Sequence, residues 1–204
     1  LLLAMVMWQF FMETISQGMG SIVARGDLLR KINFPKVIVV ISASLGALIN
    51  FGINLLVVLL FCVINGVQFE WYAIFAIFVF VELYVFSLGL ALLFGALYVK
   101  FRDISHIWEI AAQAWMYMIP MIYPLSMVIA YSPTIAKLLL LDPLAQMIQD
   151  ARTLLTYSGT GSETVWGYLH HWYLGIIPIL ITIAVFFVGV YYFNKQSQKF
   201  AEEV

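Results

Sequence analysis

Three carboxylates, Glu13, Glu82 and Glu109, stand in or beside long apolar runs of this sequence. An ionisable group in such a run is costly in hydrocarbon and is by default a functional group, proton transfer being the chemistry it would do. None of the three has a basic partner placed within its own run, and Glu13 and Glu109 also suit an interfacial position. His170 and His171 are adjacent, so on a helix they diverge by about 100° and make a poor metal pair, while His106 stands alone. Cys62, the single cysteine, lies in an apolar run, which excludes an intrachain disulfide and a cysteine metal cluster. The S-G-T-G-S stretch at 158–162 is a loop by composition; no Lys follows any glycine, so it is no phosphate loop. The residues offer no catalytic constellation and no metal site.

A different kind of work is written into 24–36, A-R-G-D-L-L-R-K-I-N-F-P-K, which gathers Arg25, Arg30, Lys31 and Lys36 in a chain with 10 Lys plus Arg. Asp27 near a helix start and Arg30 and Lys31 near its end match the helix dipole. Leu28, Leu29 and Ile32 give it an apolar edge, and Phe34-Pro35 stops it. A short amphipathic helix on the cytoplasmic side is expected, of a form that a peripheral protein can push. Topology setting and lipid-headgroup contact alone would explain its charges but not the ordered Leu-Leu and Phe-Pro.

The elements that must position these residues follow from composition. Of the 204 residues 64% are hydrophobic and 10% charged, and the mean hydropathy is +0.99, where a soluble domain carries about 25% charged residues. The chain reads as an all-α polytopic membrane protein. A net charge of -1 argues against nucleic acid as a partner.

Five spans are expected in one domain covering 1–204, at about 1–23, 37–64, 71–99, 104–130 and 168–193. Ser42 with Gly46, Ala43 with Ala47, and Ala91 with Gly95 have the spacing that lets membrane helices approach closely. Asn50 and Asn54 should bond a neighbouring helix, since an amide without a partner is costly there. Pro120 and Pro124 should kink or end the fourth span, near Tyr123. Ser132-Pro133 and Asp142-Pro143 each signal a helix start. The second helix so started places Leu144, Met147, Ile148, Ala151, Leu154 and Leu155 on one side and Gln146, Gln149, Asp150 and Thr153 on the other. It is expected to be interfacial or re-entrant, within an external region 131–167.

With 24–36 and the turn carrying Lys100, Arg102 and Asp103 inside, together with Lys195 and Lys199, only Lys137 and Arg152 remain outside, as the positive-inside rule asks. The chain opens on Leu1 in L-L-L-A-M-V-M-W with no basic stretch before it, so no signal peptide is visible and a segment upstream is expected.

The series G-S-I-V-A-R-G-D-L-L-R-K-I-N-F-P-K, Y-V-K-F-R-D-I, P-M-I-Y-P and L-D-P-L-A-Q-M-I-Q-D-A-R resembles, in order and over nearly the whole chain, the permease subunit of type-2 ABC exporters that move polysaccharides. The wall teichoic acid and O-antigen export permeases are closest in pattern. The resemblance implies six spans and an N-terminal cytoplasmic helix in the full protein, so that this chain lacks that helix and the first span. It implies a homodimer bound to two copies of a separate ATPase that holds ATP and Mg, with no cofactor on this chain. Arg25, Asp27, Leu28, Leu29, Arg30 and Lys31 resemble the coupling helix, and 132–155 resembles external re-entrant helices that cap the exit. The family commonly has Asn where this chain has Asp142. The implied cargo is a lipid-linked glycopolymer in a bacterial cytoplasmic membrane, for which Trp8, Phe11, Tyr84, Trp115, Tyr117 and Tyr123 are candidate stacking surfaces. A drug or small-molecule ABC exporter and a proton-coupled secondary transporter are the alternatives.

Overall fold

A computed structural model describes residues 1–26, 34–67, 69–156, 172–197 and 200. The described residues are helical, with no strand among them. The elements are α1 (Leu2–Ala24), α2 (Val37–Ile64), a 3-10 turn (Trp71–Phe75), α3 (Ala76–Lys100), α4 (Ile104–Met118), α5 (Leu125–Tyr131), α6 (Pro133–Leu139), α7 (Pro143–Thr156) and α8 (Trp172–Ser197). Three helices among the described residues are both long and apolar enough to cross a membrane: Val37–Ile64, Trp71–Lys100 and Gly175–Ser197. At 23 residues α1 has the length, but Gln9, Glu13, Thr14, Ser16 and Gln17 lower its hydropathy.

Bare backbone brings α1, α3 and α8 together. A Cβ on Gly18 would stand 2.7 Å from the Ala91 Cβ, and one on Gly95 would stand 3.3 Å from the Gly18 carbonyl oxygen. On the other side of α3, a Cβ on Gly89 would lie 2.7 Å from Phe186 Cα, and one on Gly189 would fall within 2.1 Å of the Gly89 oxygen. Contacting residues advance together, Phe11 with Phe86 and then Gly18 with Ala91, so α1 and α3 run in the same direction, and Lys36 Nζ just before α2 donates to the Ser197 carbonyl at the end of α8. Between α1 and α2 the order reverses, from Phe10 with Phe51 to Arg25 with Ser42. Arg25, Lys100 and Lys195 therefore gather at one end of the bundle, as the charge distribution predicts.

The stretch 104–130 is less regular than one span. Its helix α4 stops at Met118, and Ile119 is extended at φ -73, ψ 137. Pro120 accounts for this, because a proline ring pushes the preceding residue out of the helical region. A non-helical segment, 119–124, then leads into α5. The expectation that the helix would reach Tyr123 is corrected by those few residues.

Candidate functional site

Along α1 the side chains sort into two faces. Phe11, Ile15 and Ile22 are fully buried toward the core, whereas Gln9 and Ser16 are exposed and Glu13, Gln17 and Gly20 half-buried on the opposite side. These polar residues recur at helical spacing and form a stripe. Glu13 Oε1 accepts hydrogen bonds from Gln17 Nε2 at 2.7 Å and from Asn50 Nδ2 of α2 at 2.6 Å. Asn50 thus bonds a neighbouring helix, as its sequence position predicts. The Gln17 amide lies beside Gly46, where a Cβ would make ordinary contact with its Oε1 at 3.4 Å, and Arg25 Nη1 donates to Ser42 Oγ at 2.9 Å farther along the same seam. Charge-assisted bonds of this kind offset part of the cost of a carboxylate at membrane depth. They leave the outward face of the stripe polar.

The aromatic candidates take several positions. Phe11 is fully buried at the centre of a cluster, with ring centroids 5.6 Å from Trp8, 5.8 Å from Phe86 and 5.6 Å from Trp115. Trp8 and Trp115 are half-buried at its rim, and Tyr84 lies 3.0 Å from Ser44 Oγ through its hydroxyl. Tyr123 donates to the Met118 carbonyl at 2.7 Å and so satisfies the end of α4. Tyr117 is the member of this set that is 63% exposed.

At the opposite end from Arg25, α7 closes the bundle. Asp142 Oδ1 accepts from the backbone N–H of Leu144 at 2.8 Å and of Ala145 at 3.2 Å, so it caps α7 as the Asp-Pro pair predicts, while Ser132 makes no such side-chain bond at α6. Asp142 Oδ2 accepts from Trp115 Nε1 at 2.5 Å, tying the cap to α4. Burial pushes the Asp142 carboxyl above its ordinary range, opposed by those three hydrogen bonds.

The expected polar face of α7 is not turned to water: Gln146 is 2%, Gln149 6% and Asp150 9% exposed. Part of the reason is the break in 104–130. Arg152 donates to the Pro120 carbonyl at 2.9 Å and the Met121 carbonyl at 2.5 Å, acceptors that the interrupted helix leaves without intrahelical donors. Nothing in the sequence marks Arg152 for this, since its partners lie about thirty residues upstream and are backbone. A cavity of about 590 Å³ opens beside this joint, lined by Leu3, Phe61, Asn65, Tyr123 and Arg152 among others.

Of the other carboxylates, Glu109 is exposed on α4 and lies 3.9 Å from His106 Nδ1, whereas Glu82 is in the interior with Oε1 buried. At the basic end Lys36 Nζ donates to the Ser197 carbonyl and sits 5.6 Å from the Phe200 ring. Lys100, Arg102 and Asp103 are exposed, with Arg102 5.5 Å from the Tyr98 ring. Of the proposed coupling residues only Arg25 is described; Asp27, Leu28, Leu29, Arg30 and Lys31 lie outside the described residues, as do His170 and His171.

No family model matches the sequence. Over 120 residues the chain is 32% identical to the O-antigen export system permease protein RfbA of Myxococcus xanthus, covering 58% of this chain and 46% of that protein. It is 24% identical over 199 residues to each of two RfbA permease proteins of Klebsiella pneumoniae, likewise of O-antigen export systems, covering 96% of this chain and 71% of theirs. The chain spans about half the length of the first of these relatives. Relatives that are permeases of export systems, together with several long apolar helices, make this chain a multi-pass inner-membrane protein.

Proposed function

We propose that this chain is the membrane-spanning part of an ATP-driven ABC exporter, and that its cargo is a lipid-linked polysaccharide of the O-antigen class. The observation that carries the proposal is the uncovered polar stripe on α1, continued by Ser42 and Asn50 on α2. Such a stripe is unfavourable against lipid tails and suits a hydrated sugar chain or a second copy of the permease. The names of the relatives favour O-antigen over teichoic acid as the polymer.

In this reading the chain crosses the membrane five times. One crossing is α1, polar because it faces the path; another is the broken stretch 104–130. Alone, the 15 residues of α4 rise only about 22 Å against a hydrocarbon core of about 30 Å. Non-helical backbone at that depth is tolerated where protein satisfies it, and Arg152 does so here. Two copies enclose the path, and separate ATPase chains carry ATP and Mg²⁺. The segment 25–31 transmits the ATPase's motion, while α5, α6 and α7 cap the exit. The permease contributes positioning and conformational change and does no covalent chemistry.

The test is ATP hydrolysis by the full-length permease with its ATPase in lipid, with Asp27→Lys and Arg30→Glu compared with the parent in complexes shown to assemble. A fall of about tenfold or more in turnover stimulated by lipid-linked polysaccharide is expected, equivalent to losing about 1.4 kcal/mol of coupling. Turnover indifferent to both changes would reduce 25–31 to a topology signal and return attention to Glu13, Glu82 and Glu109 as proton carriers. Stimulation by drugs and not by glycolipid would replace the cargo.

A further inference from the structure

The cavity of about 590 Å³ lies at the end of the bundle opposite Arg25, where the start of α1, the end of α2 and the non-helical segment 119–124 meet. Its inner wall is apolar: Leu3, Val58, Met121 and Leu125 line it and are themselves buried. Phe61 and Ile122 line it too, yet they are 47% and 49% exposed, so they stand at its mouth. Phe61 belongs to an exposed apolar stripe of α2 with Val57, Leu60 and Ile64, at helical spacing. Because α2 is long and apolar enough to cross a membrane, that stripe meets acyl chains, and the cavity opens among them.

The polar residues of the lining are turned to backbone. Asn65 Nδ2 donates to the Phe61 carbonyl at 2.8 Å and the Tyr123 hydroxyl to the Met118 carbonyl at 2.7 Å. Gln149 and Arg152 donate to the Pro120 carbonyl at 3.5 and 2.9 Å, and Arg152 serves Met121 as well. The carbonyls freed by the break are thus covered, and the wall they belong to can meet an apolar guest. Water in the space would need two to four polar partners, and an empty void forfeits the dispersion contacts of its lining. What the surroundings supply is hydrocarbon.

We propose that this cavity holds one acyl chain of a phospholipid from the outer leaflet, inserted past Phe61 and Ile122. Its headgroup lies outside, beside Asn65 and Ser126, which line the cavity and are exposed. The volume falls within the about 300–1,000 Å³ of small-molecule sites. By filling the space the chain ties the broken stretch to α1 and α2 through apolar contact, where the protein's own hydrogen bonds tie it to α7. The site goes beyond the exporter reading and does not depend on what the protein carries.

The experiment takes the full-length permease in detergent, washed free of lipid, and titrates it with a phosphatidylglycerol that carries a diazirine at the end of one acyl chain. After irradiation the modified residues are mapped by mass spectrometry. Labelling at Val58 and within 119–125 should saturate at one lipid per chain, whereas labelling at the exposed Ile49 and Ile53 of α2 should rise in proportion to lipid. Cys62→Phe and Ser126→Trp, which put bulk into the cavity, should each weaken the saturable labelling about tenfold or more and leave Ile49 and Ile53 unchanged. Should either variant fail to fold, saturation on the wild type still decides. Labelling of 119–125 that never saturates, or that is absent because another segment of the full chain fills the space, would overturn the proposal. Displacement of the saturable label by a polyisoprenoid phosphate and not by unlabelled phospholipid would overturn it too, and give the cavity to the lipid anchor of the cargo.

Discussion

Helix α1 makes two seams that are opposite in kind. Toward α3 it is dry and backbone-close, with Gly18 against Ala91 and Gly95 against Gly18, and α3 repeats the pattern toward α8 with Gly89 and Gly189. Toward α2 it is polar, held by Glu13, Gln17 and Asn50 and left partly open. In a bilayer lipid tails are as apolar as leucine, so close packing of small residues is what gives helices a reason to stay together. The dry seams therefore define the rigid core. The polar seam gives up favourable lipid contact, which is useful only where something other than lipid faces it.

The sharpest way to break this contrast is one substitution placed on each side of it. Gly189→Ala puts a Cβ within 2.1 Å of the Gly89 oxygen, whereas Gly20→Ala on the open stripe meets nothing within 4 Å. The first should cost about 3 kcal/mol or more and the second about 0.5 kcal/mol or less, read as thermal stability in lipid.

Next in size is Arg152→Ala, which takes the side-chain donor from the Met121 carbonyl and leaves the Pro120 carbonyl only the longer bond from Gln149 Nε2 at 3.5 Å, and should cost about 2–3 kcal/mol. Arg152→Lys should recover only part of this, because a point charge cannot reproduce the two-pronged contact.

Asp142→Ala removes the cap of α7 and the acceptor for Trp115, for about 1–2 kcal/mol, while Asp142→Asn keeps the cap and should lose less. The folded-state pKa of Asp142 is raised by burial, so its proton stabilises the fold. That contribution is full below the unfolded pKa and lost as pH rises through the folded one. Stability of the parent relative to Asp142→Asn should fall across that window in a pH series of unfolding curves.

Smallest for stability is the paired change Glu13→Leu with Asn50→Leu, expected within about 1 kcal/mol because both partners of one bond leave together and Gln17, the other donor to Glu13, is only half-buried. Export should nonetheless be lost if the stripe faces the path, which an assay of surface polysaccharide reads directly.

What the sequence made legible was local or periodic. The Asp142-Pro143 start, the Ala91 and Gly95 pair, the buried side of α7 and the need of Asn50 for a partner each rest on residues within a few turns of one another. What stayed hidden depends on distant pairings. Gly89 and Gly189 are ordinary glycines until the two helices are laid side by side. Gln146 and Asp150 read as the polar side of an interfacial or re-entrant helix, because helical spacing says only that they share a side and not what covers it. Phe11 fitted a stacking surface by type, yet its place at the centre of α1, α3 and α4 gives it to the core.

The most direct measurement is the water accessibility of the α1 stripe. Ser16→Cys and Gln9→Cys, each in a Cys62→Ser background of the full-length permease with its ATPase in lipid, would be reacted with a charged maleimide. Leu56→Cys, on an exposed apolar position of α2, serves as the lipid-facing comparison. Thiols ionise in water and not in hydrocarbon, so the two α1 positions should react about tenfold faster or more, and loading with glycolipid should slow them. Rates no higher than at Leu56→Cys, unchanged by glycolipid, would contradict a path along α1.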